Sequence, residues 1–156
     1  MAPPIAPIIA NYTVPCSQLP RYLYFVEHSQ SQAHRNNQGD FEAADQWTPL
    51  RGLDHLYPLM LEHVDWSNRR PTPFISTFGD YNHALNWARQ RRPWAIIHKI
   101  DTEKLGNRDC WAFYALAFTL LGFEPDLICF ESEFLFLYTI PSSAIVSSMD
   151  LGSVRK

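Results

Sequence analysis

Basic residues are not in surplus: 13 Lys and Arg stand against 16 Asp and Glu, for a formal net charge of −3. A polyanion-binding surface is built on clustered positive charge, so nucleic acid is not an expected partner. Cysteine is sparse, and Cys16, Cys110 and Cys129 have neither metal nor redox spacing, which points to a reducing, intracellular and cytoplasmic setting. No run reaches the roughly 18 apolar residues of a spanning helix, so no membrane partner is expected. The opening Met1 to Ala10 is apolar, but it lacks a basic leader and is broken by prolines, unlike a secretory signal. The six histidines contain no His-Glu-x-x-His and join no Cys/His ligand set, so no metal site is expected. Internal repeats are absent too.

What remains is the signature of a globular chain: 156 residues, 46% hydrophobic and 14% aromatic, enough for one core and too few for two. Residues 1–20 carry five prolines without period and read as an arm, extended or wrapped over the domain that fills 21–156. Arg21 to Val26 predicts a first strand and Ser29 to Gly39 a surface loop. Leu53, Leu56, Tyr57, Met60, Leu61 and Val64 recur at helical spacing around Pro58. Phe74 to Phe78 predicts a short strand, Asp80 a helix cap and Tyr81 to Arg91 an amphipathic helix. Trp94 to Ile100 follows as a strand. The apolar stretch Cys110 to Leu121, between Asp109 and Gly122, predicts a buried helix, and strands are expected at 127–130, 134–140 and 144–149. Helices early and strands late, without βαβ alternation, indicate an α+β fold.

The most chemical sequence is Glu131-Ser132-Glu133, at the opening of an apolar strand. Residues two apart share a strand face, so the two carboxylates are expected side by side. Like charges repel and carboxylates are depleted from strands, which leaves two readings: a site that meets positive charge, or a guard against edge-to-edge pairing.

Several blocks, taken in order, carry a family resemblance. Leu23-Tyr24-Phe25-Val26, Pro73-Phe74-Ile75-Ser76-Thr77-Phe78-Gly79-Asp80 with His83-Ala84-Leu85-Asn86-Trp87-Ala88, Ile100-Asp101-Thr102, and Glu131-Ser132-Glu133-Phe134-Leu135-Phe136-Leu137 with Ile140-Pro141 resemble the ADP-ribosyltransferase fold of the arginine–serine–glutamate type. More narrowly, they are similar to a group of fungal domains related to that fold. The resemblance implies a split β-sandwich with flanking helices, binding NAD as substrate and cleaving its nicotinamide–ribose bond through an oxocarbenium-like state.

By the same match, Glu133 would stabilise the developing cation and Glu131 would orient or deprotonate a small-molecule or protein acceptor. Ser76 and Thr77 would hydrogen-bond the ribose and the catalytic carboxylate, with Phe78 or Tyr81 stacking on nicotinamide. The first-strand arginine that binds phosphate in the family is replaced by Phe25. Arg21 and Arg35 are the candidates to stand in for it, and Phe25→Arg is expected to strengthen NAD affinity. Two alternatives stay open: an enzyme on the same fold that takes a cationic small molecule, and a non-catalytic interaction module.

Overall fold

The structure, a computed structural model of the chain, describes residues 3–64, 70–91, 93–105, 111–115 and 132–153. Aromatic and β-branched runs build the strands β1 (Tyr22–His28), β4 (Phe74–Phe78), β5 (Trp94–Asp101), β7 (Glu133–Leu137) and β9 (Ile145–Ser153). Shorter strands are β2 (His34–Arg35), β3 (Phe41–Glu42), β6 (Trp111–Tyr114) and β8 (Thr139–Ile140). The helices are α1 (Pro7–Ala10), α2 (Leu53–Val64) and α3 (Tyr81–Arg89). Among the described residues the strands form two antiparallel sheets, one in the order β6-β7-β4-β1-β5-β9 and one in the order β2-β3-β8. The fold is therefore α+β, as the succession of elements indicated.

Cross-strand partners share a sheet face, so the register assigns each side chain to a layer. Tyr24 pairs with Phe78 and Phe78 with Glu133, which puts Ser76, Phe78 and Glu133 on one face with Tyr24. That face carries both longer helices. Leu56 and Met60 of α2 pack with Phe74, Phe113, Leu135 and Leu137, while Ala84 and Ala88 of α3 pack with Val26, Phe78 and Ile97. Pro58 sits inside α2. It is tolerated there because Pro58 and Asp54, whose carbonyl loses its helical donor, are both exposed.

The opposite face belongs to the small sheet. Phe41 and Ile140 join Leu23, Phe25, Ile75, Ile100 and Phe136 in one cluster. His98, 1% exposed, pairs with Phe25 in register. Its nitrogens lie 2.8 Å from Glu27 Oε1 and 2.7 Å from Ser148 Oγ, a core histidine with both polar atoms satisfied. The chain passes between the sheets at Tyr138, a non-glycine residue at φ 68°. This left-handed step ends β7 and starts β8, dividing the single expected strand 134–140. The Tyr138 hydroxyl donates to the Thr48 carbonyl, and its amide donates to the Pro73 carbonyl at 2.7 Å.

Two expectations are corrected. Trp111–Tyr114 is strand, not the start of a helix. Trp111 and Phe113 meet the α2 cluster while Ala112 and Tyr114 meet the opposite one. A strand covered on both faces is apolar throughout and loses the alternation that would identify it. The remainder of that expected helix, its caps Asp109 and Gly122, and the expected strand 127–130 lie outside the described residues. The proline-rich segment is a wrap: Ile9 is fully buried, Ala6 N donates to Leu50 O at 3.3 Å, and Val14 N donates to Ala112 O at 2.7 Å.

The second correction concerns Phe25, which is 5% exposed and stands 4.7 Å from the Phe41 ring and 5.9 Å from the His98 ring, centroid to centroid. Strand alternation puts it on the face opposite Ser76 and Glu133. Phe25→Arg would therefore bury a guanidinium in an aromatic cluster instead of offering it to a phosphate. A loss of roughly 3 kcal/mol or more in unfolding free energy is expected, read by urea denaturation; a variant as stable as the parent would refute this packing.

Candidate active site

The site begins where α2 ends. Leu56 and Met60 mark the buried stripe of α2, and the next position on that stripe is His63. Its Nδ1 lies 2.6 Å from Thr72 Oγ1 and its Nε2 2.8 Å from Ser76 Oγ. Ser76 Oγ in turn donates to Glu133 Oε2 at 2.7 Å. Thr72, His63, Ser76 and Glu133 thus form one continuous chain of hydrogen bonds across α2, β4 and β7. Phe74 closes one side, its ring centroid 5.8 Å from that of His63.

A second set of contacts fixes the start of β7. Gly79 N donates to the Ser132 carbonyl at 2.7 Å, and His83 Nδ1 lies 2.6 Å from Ser132 Oγ. Asp80 caps α3 by accepting from Asn82 N at 2.8 Å and His83 N at 3.4 Å. A Cβ at Gly79 would stand 3.3 Å from Pro20 Cγ, a contact tight enough that the proline would have to give by a few tenths of an ångström. The helix cap, the glycine and the β4–β7 register together hold Glu133 beside Ser76.

Burial dominates the electrostatics. Glu133 is 7% exposed, and loss of water pushes its carboxyl up to about 7, with the Ser76 hydrogen bond opposing that rise. Burial pushes His63 down to about 4, so at neutral pH its imidazole is uncharged. A carboxyl poised near neutrality in a dry site can exchange a proton or, once ionised, stabilise a nearby cation strongly.

The residues expected from the sequence do not all converge. Ser76 and Glu133 meet. Thr77 faces the other way: it is fully buried and its hydroxyl donates to the Phe134 carbonyl at 2.8 Å, which corrects the expectation that it holds the carboxylate. Phe78 is also corrected as a stacking surface, because it is 4% exposed and lies under α3, with its ring 4.5 Å from His83. Tyr81 is the exposed aromatic of that pair, edge-on to Tyr24 at 5.4 Å. Arg21 is committed to Asp101, with Nε at 2.9 Å from Oδ1 and a second bond at 3.2 Å. Arg35 lies over the Phe41 ring at 4.5 Å, in the small-sheet hairpin. Glu131 lies outside the described residues.

Edge protection does not describe Glu133. β7 runs between β6 and β4, inside the sheet, and the side chain is buried. The sequence reading missed His63, Thr72 and His83. For His63 a signal existed, a lone polar residue continuing the Leu56–Met60 stripe on the buried face of a helix. Among the described residues no group of three His, Cys, Asp or Glu side chains could hold a metal ion.

The family model described as a domain of unknown function, DUF7587, matches residues 18–154. No curated protein and no solved structure matches the chain.

The raised carboxyl has a stability consequence with a definite sign. Between about 4.5 and about 7 the folded state holds a proton that the unfolded state has released. Stability therefore falls as pH rises through that window, by a total on the order of 3 kcal/mol. Glu133→Gln removes this dependence. Its melting temperature should exceed that of the parent at pH 8 and approach it at pH 4.5; an equal difference at both pH values would refute the burial cost.

Proposed function

The chain belongs to the DUF7587 family, and for this member we propose NAD-dependent ADP-ribosyl transfer or NAD glycohydrolysis, with Glu133 stabilising an oxocarbenium-like transition state. The supporting observation is the 2.7 Å hydrogen bond from Ser76 to the buried Glu133. It joins the serine and glutamate that the sequence pattern pairs, on adjacent strands of one sheet face. An ionised carboxylate held in a dry site stabilises developing positive charge far better than one in water, and a fixed hydroxyl spares it reorganisation during the reaction. Glu131 takes the acceptor role in this reading, and NAD is substrate rather than resident cofactor. The split β-sandwich arrangement of the resemblance belongs to the same proposal.

A second reading is favoured by the placement of the arginines. With Phe25 in the core and Arg21 bonded to Asp101, neither supplies a phosphate contact beside Glu133. The same carboxylate would then recognise a guanidinium or amine on a different small molecule. A non-catalytic interaction module is the remaining alternative, and it would leave Glu133 dispensable to every activity.

Purified protein incubated with NAD separates the first reading from the other two. Nicotinamide release with a thermal shift is expected for the first, neither effect for the others. Release should rise with pH through about 7 as Glu133 ionises, and Glu133→Gln should lower turnover by about two to three orders of magnitude. Glu131→Gln should impair transfer to an acceptor while sparing hydrolysis. Equal, small effects from both substitutions in folded proteins would remove the enzyme assignment.

A further inference from the structure

We infer that His63 is the positioning residue of this site: it holds the Ser76 hydroxyl against Glu133 and exchanges one neutral tautomer for the other as Glu133 gains or loses its proton. The inference deepens the proposed function, on which its kinetic meaning rests. Its physical basis is the unbroken order Thr72 Oγ1, His63 Nδ1, His63 Nε2, Ser76 Oγ, Glu133 Oε2, with separations of 2.6, 2.8 and 2.7 Å at the three hydrogen bonds.

A hydroxyl has one proton and a neutral imidazole has one N–H, so the direction of any bond in the row dictates the next. When Glu133 is ionised it can only accept. Ser76 then donates to it, His63 donates from Nε2 to Ser76, and the bare Nδ1 accepts from Thr72. When Glu133 is protonated the whole row can reverse: the carboxyl donates to Ser76, Ser76 donates to Nε2, and Nδ1–H donates to Thr72. One proton is gained between the two states, and the imidazole stays neutral in both. Burial keeps it so, since His63 would become a cation only near pH 4.

Among the described residues, charged neighbours do not supply an alternative explanation. From the α3 side, Asp80 caps the helix and His83 is engaged with Ser132. Beside His63 on α2, Glu62 lies 3.2 Å from Arg70. Among the described residues, the displaced proton affinities of His63 and Glu133 come from burial, opposed for Glu133 by the Ser76 bond, with no charge–charge contribution. The state that supports cation stabilisation, with Glu133 ionised, is the one in which His63 donates to Ser76. The imidazole therefore fixes the serine proton on the carboxylate.

Nuclear magnetic resonance on the intact chain, with ¹³C at the Glu133 carboxyl and ¹⁵N in the His63 ring, tests this without substrate. As the carboxyl titrates, the two ring nitrogens should exchange protonated and unprotonated shifts at the same midpoint. Ring shifts that stay flat through that midpoint, or two protonated nitrogens, would overturn the inference. Thr72→Val supplies a second arm. Without the hydroxyl both tautomers lose a partner, but a buried N–H without an acceptor costs more than a bare ring nitrogen without a donor, so the Nε2–H tautomer is favoured and the Glu133 midpoint should fall by about half a unit; an unmoved midpoint in the folded variant counts against the relay.

In turnover, His63→Gln, which can donate and accept, should retain kcat within about tenfold, whereas His63→Leu should lose about a hundredfold in kcat with KM nearly unchanged. Should the parent release no nicotinamide, the NAD reading falls while the resonance arms still decide the tautomer exchange.

Discussion

The elements of the helical face converge on one carboxyl group withdrawn almost entirely from water. Glu133 opens an interior strand, faces the helices and takes its hydrogen bond from Ser76 across the β4–β7 pair. Burying a carboxyl costs free energy unless its partners are fixed, and here every adjoining element supplies some of that fixing. The end of α2 contributes His63, the capped start of α3 anchors Ser132, and the Gly79 amide holds the Ser132 carbonyl. A folding motif needs none of this chemistry at that position. Function more often explains such a concentration of polar atoms beneath a helical layer, because natural chains tolerate local instability where activity requires it.

Much of the framework could be read directly from residue patterns. The first strand, the Phe74–Phe78 strand, the Asp80 cap and the amphipathic helix after it all follow local rules of alternation, capping and period, and local rules are what a sequence displays. The Ser76–Glu133 pairing was legible only as a resemblance between ordered blocks, since nothing in spacing alone brings residues 57 apart into register. His63 escaped for a related reason: its partners lie on another element, and a histidine among six shows no pairing until the helix is docked. Trp111–Tyr114 misled because burial on both faces erases the difference between strand and helix. Thr77 misled by adjacency, for neighbours in a strand point apart, and only one of two consecutive hydroxyls can reach the same side chain.

Phe25 shows how a resemblance and a packing environment can disagree at one position. The ADP-ribosyltransferase pattern that the sequence resembles has a cation there, while the face that the residue occupies is an aromatic layer shared with Phe41 and His98. A substitution at such a point does not stand alone, because the surrounding rings must be shaped to accept either a charge or an apolar side chain. The binding preferences of the site and the composition of the core on the far side of the sheet are therefore coupled through one strand.

Tyr138 carries a consequence for cooperativity. Its left-handed backbone hands one continuous segment from the large sheet to the small one, and β8 has only two residues with which to hold its neighbour. So brief a pairing cannot persist by itself, and β2 and β3 are equally short. The small sheet therefore has no independent stability. Its order is borrowed from the large sheet, against which Phe41 and Ile140 pack, so this layer cannot outlast the large sheet on unfolding.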